Sequence, residues 1–435
     1  MVAQNASLAT AGVEPARAEH SGATMLSVVI PALNEEGGIA DIVCRVEAVR
    51  PALASAGVEG LEIIVVDDGS RDRTAEIASS YSFVRLVRHP VNQGYGAAIK
   101  TGFGCARGEL LAFLDADGTY PPEALPDLCR VAMREQADVV VGSRRSGGAS
   151  EMPPVRRLGN FMWSSLLSTV GNRRVADPAS GMRVVRRSAL RRLYPLPDGL
   201  NFTPVMSTRS AYEDLRVVEL PIHYRERVGR SKLSVVRDGT RFLKTILWTA
   251  LEYNPARVLG LVGIGAMGVA AAVALAMVVL RLQGVTQLGT WGVFSLFTAL
   301  VLAVMGVSIF SLGATFNYLV SLQRGEVARQ GLFGRPIFGP SLDHHFGWIG
   351  LAAMVGGAGL GAASLALSAS GWEVSRLWFW LLASASAILV GLQLVVSWIL
   401  MRVLESLSAR DARIGDDLAR SAADSVSVPG ASPDP

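Results

Sequence analysis

The sequence predicts an α/β domain with a mostly parallel sheet, followed by an α-helical transmembrane domain. The first 257 residues hold most of the charged side chains, and within them short β-branched runs alternate with helical patterns. This alternation is typical of a parallel sheet that is covered by helices on both faces. The rest of the 435-residue chain contains long uncharged runs, which indicate membrane-spanning helices.

Five apolar runs are predicted to be strands, and each of the first three is followed by a helical pattern. These runs are LSVVIPA (26–32), LEIIVVDDGS (61–70), FVRLVRH (83–89), ELLAFLDAD (109–117) and ADVVVGSR (137–144). Helices are predicted to begin near Asn34, near Asp72 and within AAIKTGFGCA. The stretch 153–195 is predicted to be helical and then irregular, and 216–227 to be a late strand. Ligands bind such sheets outside the carboxyl ends of the strands, where most of the polar motifs fall.

The transmembrane domain is predicted to occupy residues 257–403. Four apolar spans are long enough to cross a bilayer, at about 258–280, 291–320, 346–367 and 377–401. Residues 231–256 mix basic and apolar side chains, so they are predicted to form amphipathic helices on the membrane surface. Arginines between the second and third spans and after the fourth place both termini in the cytosol, at the inner membrane. The two ends of the chain, 1–24 and 410–435, are predicted to be disordered tails.

The composition of the chain limits the classes of molecule that it is expected to bind. The formal net charge is +4, and the arginines cluster near the membrane boundary, which favours anionic lipid and phosphate over nucleic acid. The three cysteines, Cys44, Cys105 and Cys129, have no metal-ligand spacing. An odd number of cysteines at unrelated spacings favours reduced thiols in the cytosol.

The segment FLDADGTYPPE carries the most specific chemistry. Asp115 and Asp117 are two residues apart at the end of a predicted strand. Two such carboxylates can hold Mg²⁺ or Mn²⁺, with substrate phosphates and water completing the coordination. The same residues before Gly118 also suit an ordinary turn, and the segment alone leaves both interpretations open.

Five motifs occur in a fixed order: VVIPALNEE, VVDDGSRDRT, HPVNQGYGAAIKTG, FLDADGTYPPE and VGSRR. Together they resemble family 2 glycosyltransferases of the Rossmann-like GT-A fold, and more narrowly the polyprenyl-phosphate glycosyltransferases related to dolichol-phosphate mannose synthase. DPASGMRVVRR and ERVGRSKLSVVRDGTRFL resemble later motifs of that group, and the four spans resemble its four-helix members. The resemblance covers about residues 25–250 and implies that 25–230 is a GT-A glycosyltransferase domain.

The resemblance implies a nucleotide-sugar site with a divalent cation, Mg²⁺ or Mn²⁺, held by Asp115 and Asp117. The implied nucleotide-binding residues are Pro31, Ala32, Asn34, Glu35, Asp67, Asp68, Gly94, Lys100, Asp115 and Ala116. Plainer interpretations remain open for several of them: a capped helix start at Asn34, a strand-end turn after Asp67, and a solvated helix lysine at position 100. The spacing of Gly94 and Gly96 is similar to a dinucleotide-binding loop, but Ile99 replaces the third glycine, which disfavours a nicotinamide enzyme.

The implied reaction moves a sugar from a GDP- or UDP-linked donor to a polyprenyl phosphate at the cytosolic membrane face, with inversion at the anomeric carbon. The residues implied to bind the acceptor phosphate are Arg144, Arg156, Arg157, Ser180, Arg183, Arg227, Ser231 and Lys232. Asp117, Arg144 and Arg157 are the predicted catalytic residues, although a basic surface near lipid would also explain the arginines. Glu213 and Asp214 are rejected as a catalytic base, because a phosphate acceptor is already anionic at neutral pH.

Two other functions compete with this prediction. A processive polysaccharide synthase shares the fold, but the chain lacks the QxxRW motif of such enzymes. A non-catalytic membrane scaffold that keeps the fold is disfavoured by the intact aspartates and arginines. The predicted partners are the nucleotide-sugar donor, polyprenyl phosphate and membrane lipid, without nucleic acid. The sequence leaves open the sugar, the nucleotide and whether the chain forms a homo-oligomer.

Overall fold

The computed structural model describes most of the chain, in the segments 24–144, 154–171, 174–213, 215–225, 235–285, 289–324, 345–372 and 374–426. Contacts between residues divide the chain into two compact units. The first unit comprises Met1–Pro154, Ser180–Phe202 and Leu215–Lys232, and the second comprises Val155–Ala179, Thr203–Asp214 and Leu233–Pro435. Two inner segments of the N-terminal half, which lie within the predicted domain 25–230, thus fall in the same unit as the apolar helices.

The first unit is built on one sheet of seven strands in the described part of the chain. The strands are β1 (Met25–Ala32), β2 (Gly60–Asp67), β3 (Val84–Arg88), β4 (Leu110–Phe113), β5 (Val139–Ser143), β6 (Arg183–Arg186) and β7 (Val217–Pro221). Their order in the sheet is β3-β2-β1-β4-β6-β5-β7, and only β6 runs antiparallel to its neighbours. The predicted α/β class and mostly parallel sheet are confirmed.

Strand β6 is the main feature that the sequence did not predict. It has only four residues, RVVR, and lies within a stretch predicted to be irregular. It pairs with β4 on one side and β5 on the other, so that Phe113 lies opposite Arg183. In a strand of four residues, an alternation of apolar and polar side chains cannot be recognised. Only its pairing with β4 and β5 defines this strand.

The described residues form helices on both sides of the sheet and beyond it. The helices are α1 (Ile39–Ala48), α2 (Arg50–Ser55), α3 (Thr74–Ser79), α4 (Tyr95–Cys105), α5 (Leu125–Arg134), α6 (Pro154–Val170), α7 (Leu190–Leu193), α8 (Phe202–Tyr212), α9 (Val235–Tyr253), α10 (Pro255–Leu282), α11 (Thr290–Arg324), α12 (Phe346–Ala369) and α13 (Val374–Val426). Helix α1 begins five residues later than predicted, because Asn34 has a φ of 51° and so lies in a loop.

Successive side chains of β1 point to opposite faces of the sheet, so they pack into two separate cores. Val28 and Ile30 are fully buried and belong to one cluster with Ile42 of α1 and Leu128 of α5. On the other face, Gly102 of α4 packs directly against Val29. Each fully buried aliphatic side chain of this kind contributes about 1.5–3 kcal/mol, so the sheet is a rigid support for the loops at its carboxyl edge.

The second unit contains three helices that pack together before the first apolar span. Leu167 of α6, Ala211 of α8 and Ile246 of α9 form one buried cluster. Tyr253 stacks on Tyr212, with ring centroids 5.1 Å apart, at the other end of the same helices. Helix α9 matches the amphipathic helix predicted for this region. The helix α10 follows directly, capped by the Asn254 side chain, which accepts a hydrogen bond from the backbone of Arg257 at 2.9 Å.

Four helices of the described chain are long and apolar enough to cross a membrane: Pro255–Leu282, Thr290–Val320, Phe346–Ala369 and Phe379–Ser406. They match the four predicted spans. Glycines let them pack closely, since a Cβ at Gly263 would lie 2.6 Å from the Gly306 carbonyl oxygen. A Cβ at Gly350 would lie equally close, at 2.6 Å, to the Gly391 carbonyl oxygen.

The C-terminal end differs from the prediction of a disordered tail from residue 410. Helix α13 continues to Val426. Residues 402–426 are rich in good helix formers such as Ala, Arg and Leu, and the next proline is Pro429, so nothing in the sequence forces the helix to stop earlier. Residues 1–23 of the other predicted tail, and residues 427–435, lie outside the described part of the chain.

Candidate functional site

Loops that follow β1, β2 and β4 meet at the carboxyl edge of the sheet in the first unit. The backbone N–H of Asn34 donates to Ser70 Oγ at 2.9 Å, and the Asn34 side chain accepts from the backbone of Arg71 at 2.9 Å. A Cβ at Gly38 would lie 2.8 Å from the Ala116 carbonyl oxygen. The loop after β1 is therefore held between the loops that follow β2 and β4.

The predicted nucleotide-binding residues of the first motif fall into two groups. Pro31 and Ala32 are buried in β1, where Ala32 pairs with Asp67 of β2. Asn34 and Glu35 lie beyond the strand, and the backbone of Glu35 donates to Thr74 Oγ1 at 2.9 Å. Only the second group lies in the loop at the edge of the sheet.

A cavity of about 770 Å³ lies at this edge. Its lining comes from segments that follow β1, β2 and β3: Leu33, Asn34, Gly69, Ser70, Arg71, Arg88, His89, Pro90, Val91 and Asn92. Two guanidinium groups and the polar groups of Asn34 and Ser70 suit a polar, anionic ligand with a flat ring.

Asp67 is fully buried and contacts two residues that line this cavity. Its Oδ1 accepts from the Ser70 backbone at 3.0 Å, and its Oδ2 accepts from Arg88 Nε at 3.2 Å. The Arg88 side chain is 62% exposed, whereas that of Asp67 is 0% exposed. A ligand in the cavity would therefore meet Arg88 before it met the carboxylate of Asp67.

Asp68 is buried and holds the loop that connects β3 to α4. It accepts hydrogen bonds from the backbones of Gln93 and Gly94, both at 2.9 Å, and pairs with His89 Nδ1 at 2.7 Å. Both carboxylate oxygens thus have partners within the protein. The plainer interpretation, a strand-end carboxylate that organises a turn, fits Asp68 in this structure.

Asp115 and Asp117, the predicted metal ligands, are both half-buried just beyond β4. The Tyr95 hydroxyl donates to Asp115 Oδ1 at 2.7 Å. Thr119 donates to Asp117 Oδ1 through its hydroxyl at 2.7 Å and its backbone at 3.2 Å. Burial, with the negative charge of Asp115, raises the pKa of Tyr95 well above its usual value, so the hydroxyl keeps its proton and acts as the donor.

The donor set fits a hard divalent cation. Two carboxylates at a strand end are the protein ligands expected where phosphates and water complete the coordination. The backbone at Gly181 packs closely against Asp115, since a Cβ there would lie 2.7 Å from Asp115 Oδ2. Within the described residues there is no group of three or more His, Cys, Asp or Glu that could form an all-protein site.

Gly94 and Lys100 both contact the segment 196–198 of the same chain. Gly94 has a φ of 109°, and a side chain there would collide with the backbone of Asp198. Lys100 Nζ donates to the Leu196 carbonyl at 3.0 Å and forms an ion pair with the Asp198 carboxylate. A backbone segment of the protein itself thus lies against Gly94, and Lys100 ties α4 to this segment.

Two of the predicted acceptor residues have no exposed surface. Ser180 and Arg183 are both 0% exposed. The Ser180 hydroxyl donates to the Gly142 carbonyl at 2.6 Å, and Arg183 Nε donates to the Ser180 carbonyl at 3.2 Å. In this structure both residues make hydrogen bonds beside β6, and their role toward the acceptor phosphate stays a prediction.

The structure describes only some of the remaining residues that were predicted to bind the acceptor phosphate. Arg144 is half-buried, with its guanidinium 5.6 Å from the centre of the Tyr224 ring. Arg157 is exposed near the start of α6. The Arg156 side chain and the residues Arg227, Ser231 and Lys232 lie outside the described part of the chain.

Comparison with known proteins decides the family. The model of Glycosyl transferase family 2 matches residues 27–194. A dolichyl-phosphate hexose transferase of Haloferax volcanii is 31% identical over 227 residues, which are 52% of this chain and 94% of that protein. The chain belongs to glycosyl transferase family 2. The predicted resemblance is confirmed at this level, and the mostly parallel sheet is the GT-A domain of this family 2 chain.

Other similarities cover parts of this family 2 member. The low-salt glycan biosynthesis hexosyltransferase Agl6 of Haloferax volcanii is 37% identical over 234 residues, but the match spans only 55% of that protein and 53% of this chain. A Domain of unknown function (DUF8752) matches residues 255–415. A glucosyl-3-phosphoglycerate synthase of Mycobacterium tuberculosis, solved with Mn²⁺, UDP and phosphoglyceric acid, is 23% identical with a TM-score of 0.43, over 52% of this chain and 78% of that one.

Several site residues were not singled out from the sequence. Tyr95 and Gly181 flank the Asp115 carboxylate, and Arg88 covers Asp67. Tyr120 accepts from the Gly181 backbone at 2.7 Å and so fixes the segment beside Asp115. Tyr95 lies inside one of the recognised motifs, but the direction in which a tyrosine points depends on the packing of its helix, which a motif does not state.

Proposed function

We propose that this family 2 chain is a metal-dependent, inverting hexosyltransferase that moves one sugar from a GDP- or UDP-linked donor to a polyprenyl phosphate. The observation that carries the proposal is the pair Asp115 and Asp117 just beyond β4, each held by a hydrogen bond from Tyr95 or Thr119. The named activity of the dolichyl-phosphate relative and the four apolar helices support a lipid-linked acceptor.

Asp115 and Asp117 would hold the divalent cation, Mg²⁺ or Mn²⁺. When bound, such a cation neutralises the charge that grows on the leaving nucleoside diphosphate. Tyr95 and Thr119 each donate to one of these carboxylates and so fix its rotamer before the ligand arrives. In this proposal the nucleoside occupies the cavity lined by Asn34, Ser70 and Arg88, with the guanidinium of Arg88 at its edge.

The acceptor phosphate needs no catalytic base. One of its anionic oxygens attacks the anomeric carbon, the bond from that carbon to the nucleoside diphosphate breaks, and in-line geometry inverts the configuration. Arg144 and Arg157 are proposed to position the phosphate, because guanidinium groups bind phosphate through two hydrogen bonds. Glu213, which lies in the second unit, accepts from the Tyr253 hydroxyl at 2.9 Å, a contact that suits a structural role.

The reaction is proposed to take place at the cytosolic face of the inner membrane. The basic residues that flank the apolar spans support this orientation, with both termini in the cytosol. Cytosolic nucleotide-sugars would then reach the enzyme directly, and the polyprenyl chain would stay in the lipid.

A partition assay tests the proposal. The purified chain would be mixed with undecaprenyl phosphate, Mn²⁺ and a panel of UDP- and GDP-sugars labelled in the sugar. We expect one donor to give label that moves into organic solvent as a lipid-linked monosaccharide. An insoluble labelled polymer would identify a polysaccharide synthase instead, and no transfer from any donor would favour a scaffold.

A further inference from the structure

The guanidinium group of Arg144 lies over a buried aromatic ring. Arg144 directly follows the last residue of β5, and its guanidinium carbon is 5.6 Å from the centre of the Tyr224 ring. Tyr224 is only 5% exposed, whereas Arg144 is half-buried. A ring attracts a guanidinium group at this distance, and unlike a carboxylate it does not cancel the positive charge. Tyr224 therefore orients a cation whose charge stays available to an anion.

The Tyr224 ring is itself fixed by a second tyrosine, which reaches the segment beside the proposed metal pair. Tyr120, 2% exposed, packs edge-on against Tyr224, with ring centroids 5.4 Å apart and an angle of 72° between the planes. The Tyr120 hydroxyl accepts from the Gly181 backbone at 2.7 Å, and Gly181 packs against Asp115. The two rings thus connect Arg144 with the surroundings of Asp115, all within the first unit.

The backbone that follows β7 makes a parallel connection through hydrogen bonds. The N–H of Ile222 donates to the Ser143 carbonyl at 3.0 Å, and the N–H of Arg225 donates to the Thr119 carbonyl at 3.1 Å. Thr119 in turn donates to Asp117. The segment that carries the second ring is therefore held to the end of β5 on one side and to the loop of the metal pair on the other.

The order of the strands sets the separation between the two ends of this connection. Strand β6 lies between β4 and β5. Neighbouring strands are about 4.8 Å apart, so the ends of β4 and β5 are roughly 10 Å apart. This separation leaves room for one sugar ring between a diphosphate at the metal pair and an anion at Arg144.

We propose that Tyr224 is a positioning residue, whose ring holds the guanidinium group of Arg144 where it binds the phosphate of the lipid acceptor. A guanidinium group that contacts a ring through its face keeps the N–H groups in its plane free for a bidentate bond to phosphate. This inference rests on the proposed function, and it adds the residue that orients Arg144.

Binding of a short acceptor tests the inference without turnover. Isothermal titration calorimetry would measure farnesyl phosphate binding to the full-length chain with Mn²⁺ and either UDP or GDP, and farnesol would report the contribution of the tail. We expect Tyr224→Phe, which keeps the ring, to bind as the wild type does. Tyr224→Leu should bind about threefold more weakly or worse. In an Arg144→Ala background, Tyr224→Leu should have no further effect, because the two residues act as a unit.

Two measurements separate positioning from a general loss of packing. Mn²⁺ affinity, measured by electron paramagnetic resonance, should be the same in Tyr224→Leu and the wild type. Phe103→Leu serves as the control, because Phe103 is 1% exposed and packs on Phe113, outside the cluster that contains Tyr224. This variant should keep wild-type binding of farnesyl phosphate. Thermal unfolding midpoints would show that each variant is folded at the temperature of the titration.

The outcomes that would overturn the inference are distinct from failure of the proposed function. Wild-type binding by Tyr224→Leu would overturn it, as would an equal loss in the Arg144→Ala background or a parallel loss of Mn²⁺ affinity. A wild-type chain that binds farnesyl phosphate no better than farnesol would also overturn it. If the wild-type chain shows the expected binding pattern but transfers no label in the partition assay, the proposed function fails and the role of Tyr224 at a phosphate site stands.

Discussion

The Tyr95 hydroxyl donates to Asp115 Oδ1 at 2.7 Å, so the first residue of α4 holds the first carboxylate of the proposed metal pair. Helix α4 is itself fixed, because Gly102 packs directly against Val29 of β1, an inner strand of the sheet. The position of the carboxylate is thus set by a rigid element instead of by the loop that contains it. Hydrogen bonds to the ligands of a metal commonly change its affinity by about 10–100-fold.

Replacing Tyr95 by Phe tests this relationship. The Tyr95→Phe variant keeps the ring but loses the donor, so we expect Mn²⁺ affinity to fall by about tenfold or more. Titration of free Mn²⁺ by electron paramagnetic resonance measures this without any substrate. Tyr81→Phe removes a hydroxyl elsewhere in the first unit and serves as the control. Equal Mn²⁺ affinity in the two variants would show that Tyr95 does not position Asp115.

Gly181→Ala tests the space beside Asp115. The new Cβ would lie 2.7 Å from Asp115 Oδ2, so the carboxylate must move, and we expect Mn²⁺ binding to weaken while the fold persists. Gly104→Ala is the matched control, because a Cβ there meets nothing within 4 Å and the residue lies in α4. That control should stabilise the protein by about 0.4–1 kcal/mol. Wild-type Mn²⁺ affinity in Gly181→Ala would contradict the proposed position of the cation.

Asp68→Asn tests whether Asp68 is structural. The amide can accept with only one oxygen, so one part-buried backbone N–H, that of Gln93 or Gly94, loses its partner. We expect a loss of about 1–3 kcal/mol in the free energy of unfolding and a lower thermal midpoint. Glu76→Gln, in an exposed ion pair with Arg73, should leave the midpoint unchanged. A stable Asp68→Asn variant with weaker nucleotide binding would instead favour the direct contact that the family resemblance implies.

Arg157→Ala tests the proposed acceptor site. The KM for undecaprenyl phosphate should rise by on the order of tenfold, with a much smaller change for the nucleotide-sugar, because a charge-assisted bond to the lipid phosphate is lost. Arg130→Ala, at an exposed ion pair on α5, controls for the loss of a surface charge. A larger effect on the nucleotide-sugar than on the lipid would count against an acceptor role for Arg157.

The sequence predicted those parts of the fold that repeat a local pattern. β-Branched apolar runs revealed the first five strands and the late strand β7, because a buried strand needs such a run. The four long helices were found from the length of their apolar spans, because a membrane-spanning helix must cross the bilayer. Strand β6 and the helical continuation of α13 to Val426 were missed. The strand depends on its partners in the sheet, and the polar sequence at the end of the helix has no apolar pattern to reveal it.

The candidate site was predicted in part for the same reason. Asp115, Asp117 and Asn34 lie at the carboxyl edge of the sheet, where motifs after parallel strands must meet. Asp68, Ser180 and Arg183 have the residue types of a binding site, but they are buried among protein groups. Burial and hydrogen-bond partners depend on three-dimensional packing, so a motif alone could not state which of its residues are buried.

The most direct test of the proposed metal-dependent transfer is the Asp117→Ala variant in the partition assay, with the donor that the panel identifies. We expect the wild-type chain to give lipid-linked label only with Mg²⁺ or Mn²⁺ and to stop in EDTA. The variant should give none at any metal concentration, although its unfolding midpoint matches that of the wild type. Full transfer by Asp117→Ala in the presence of EDTA would contradict the assignment of this carboxylate.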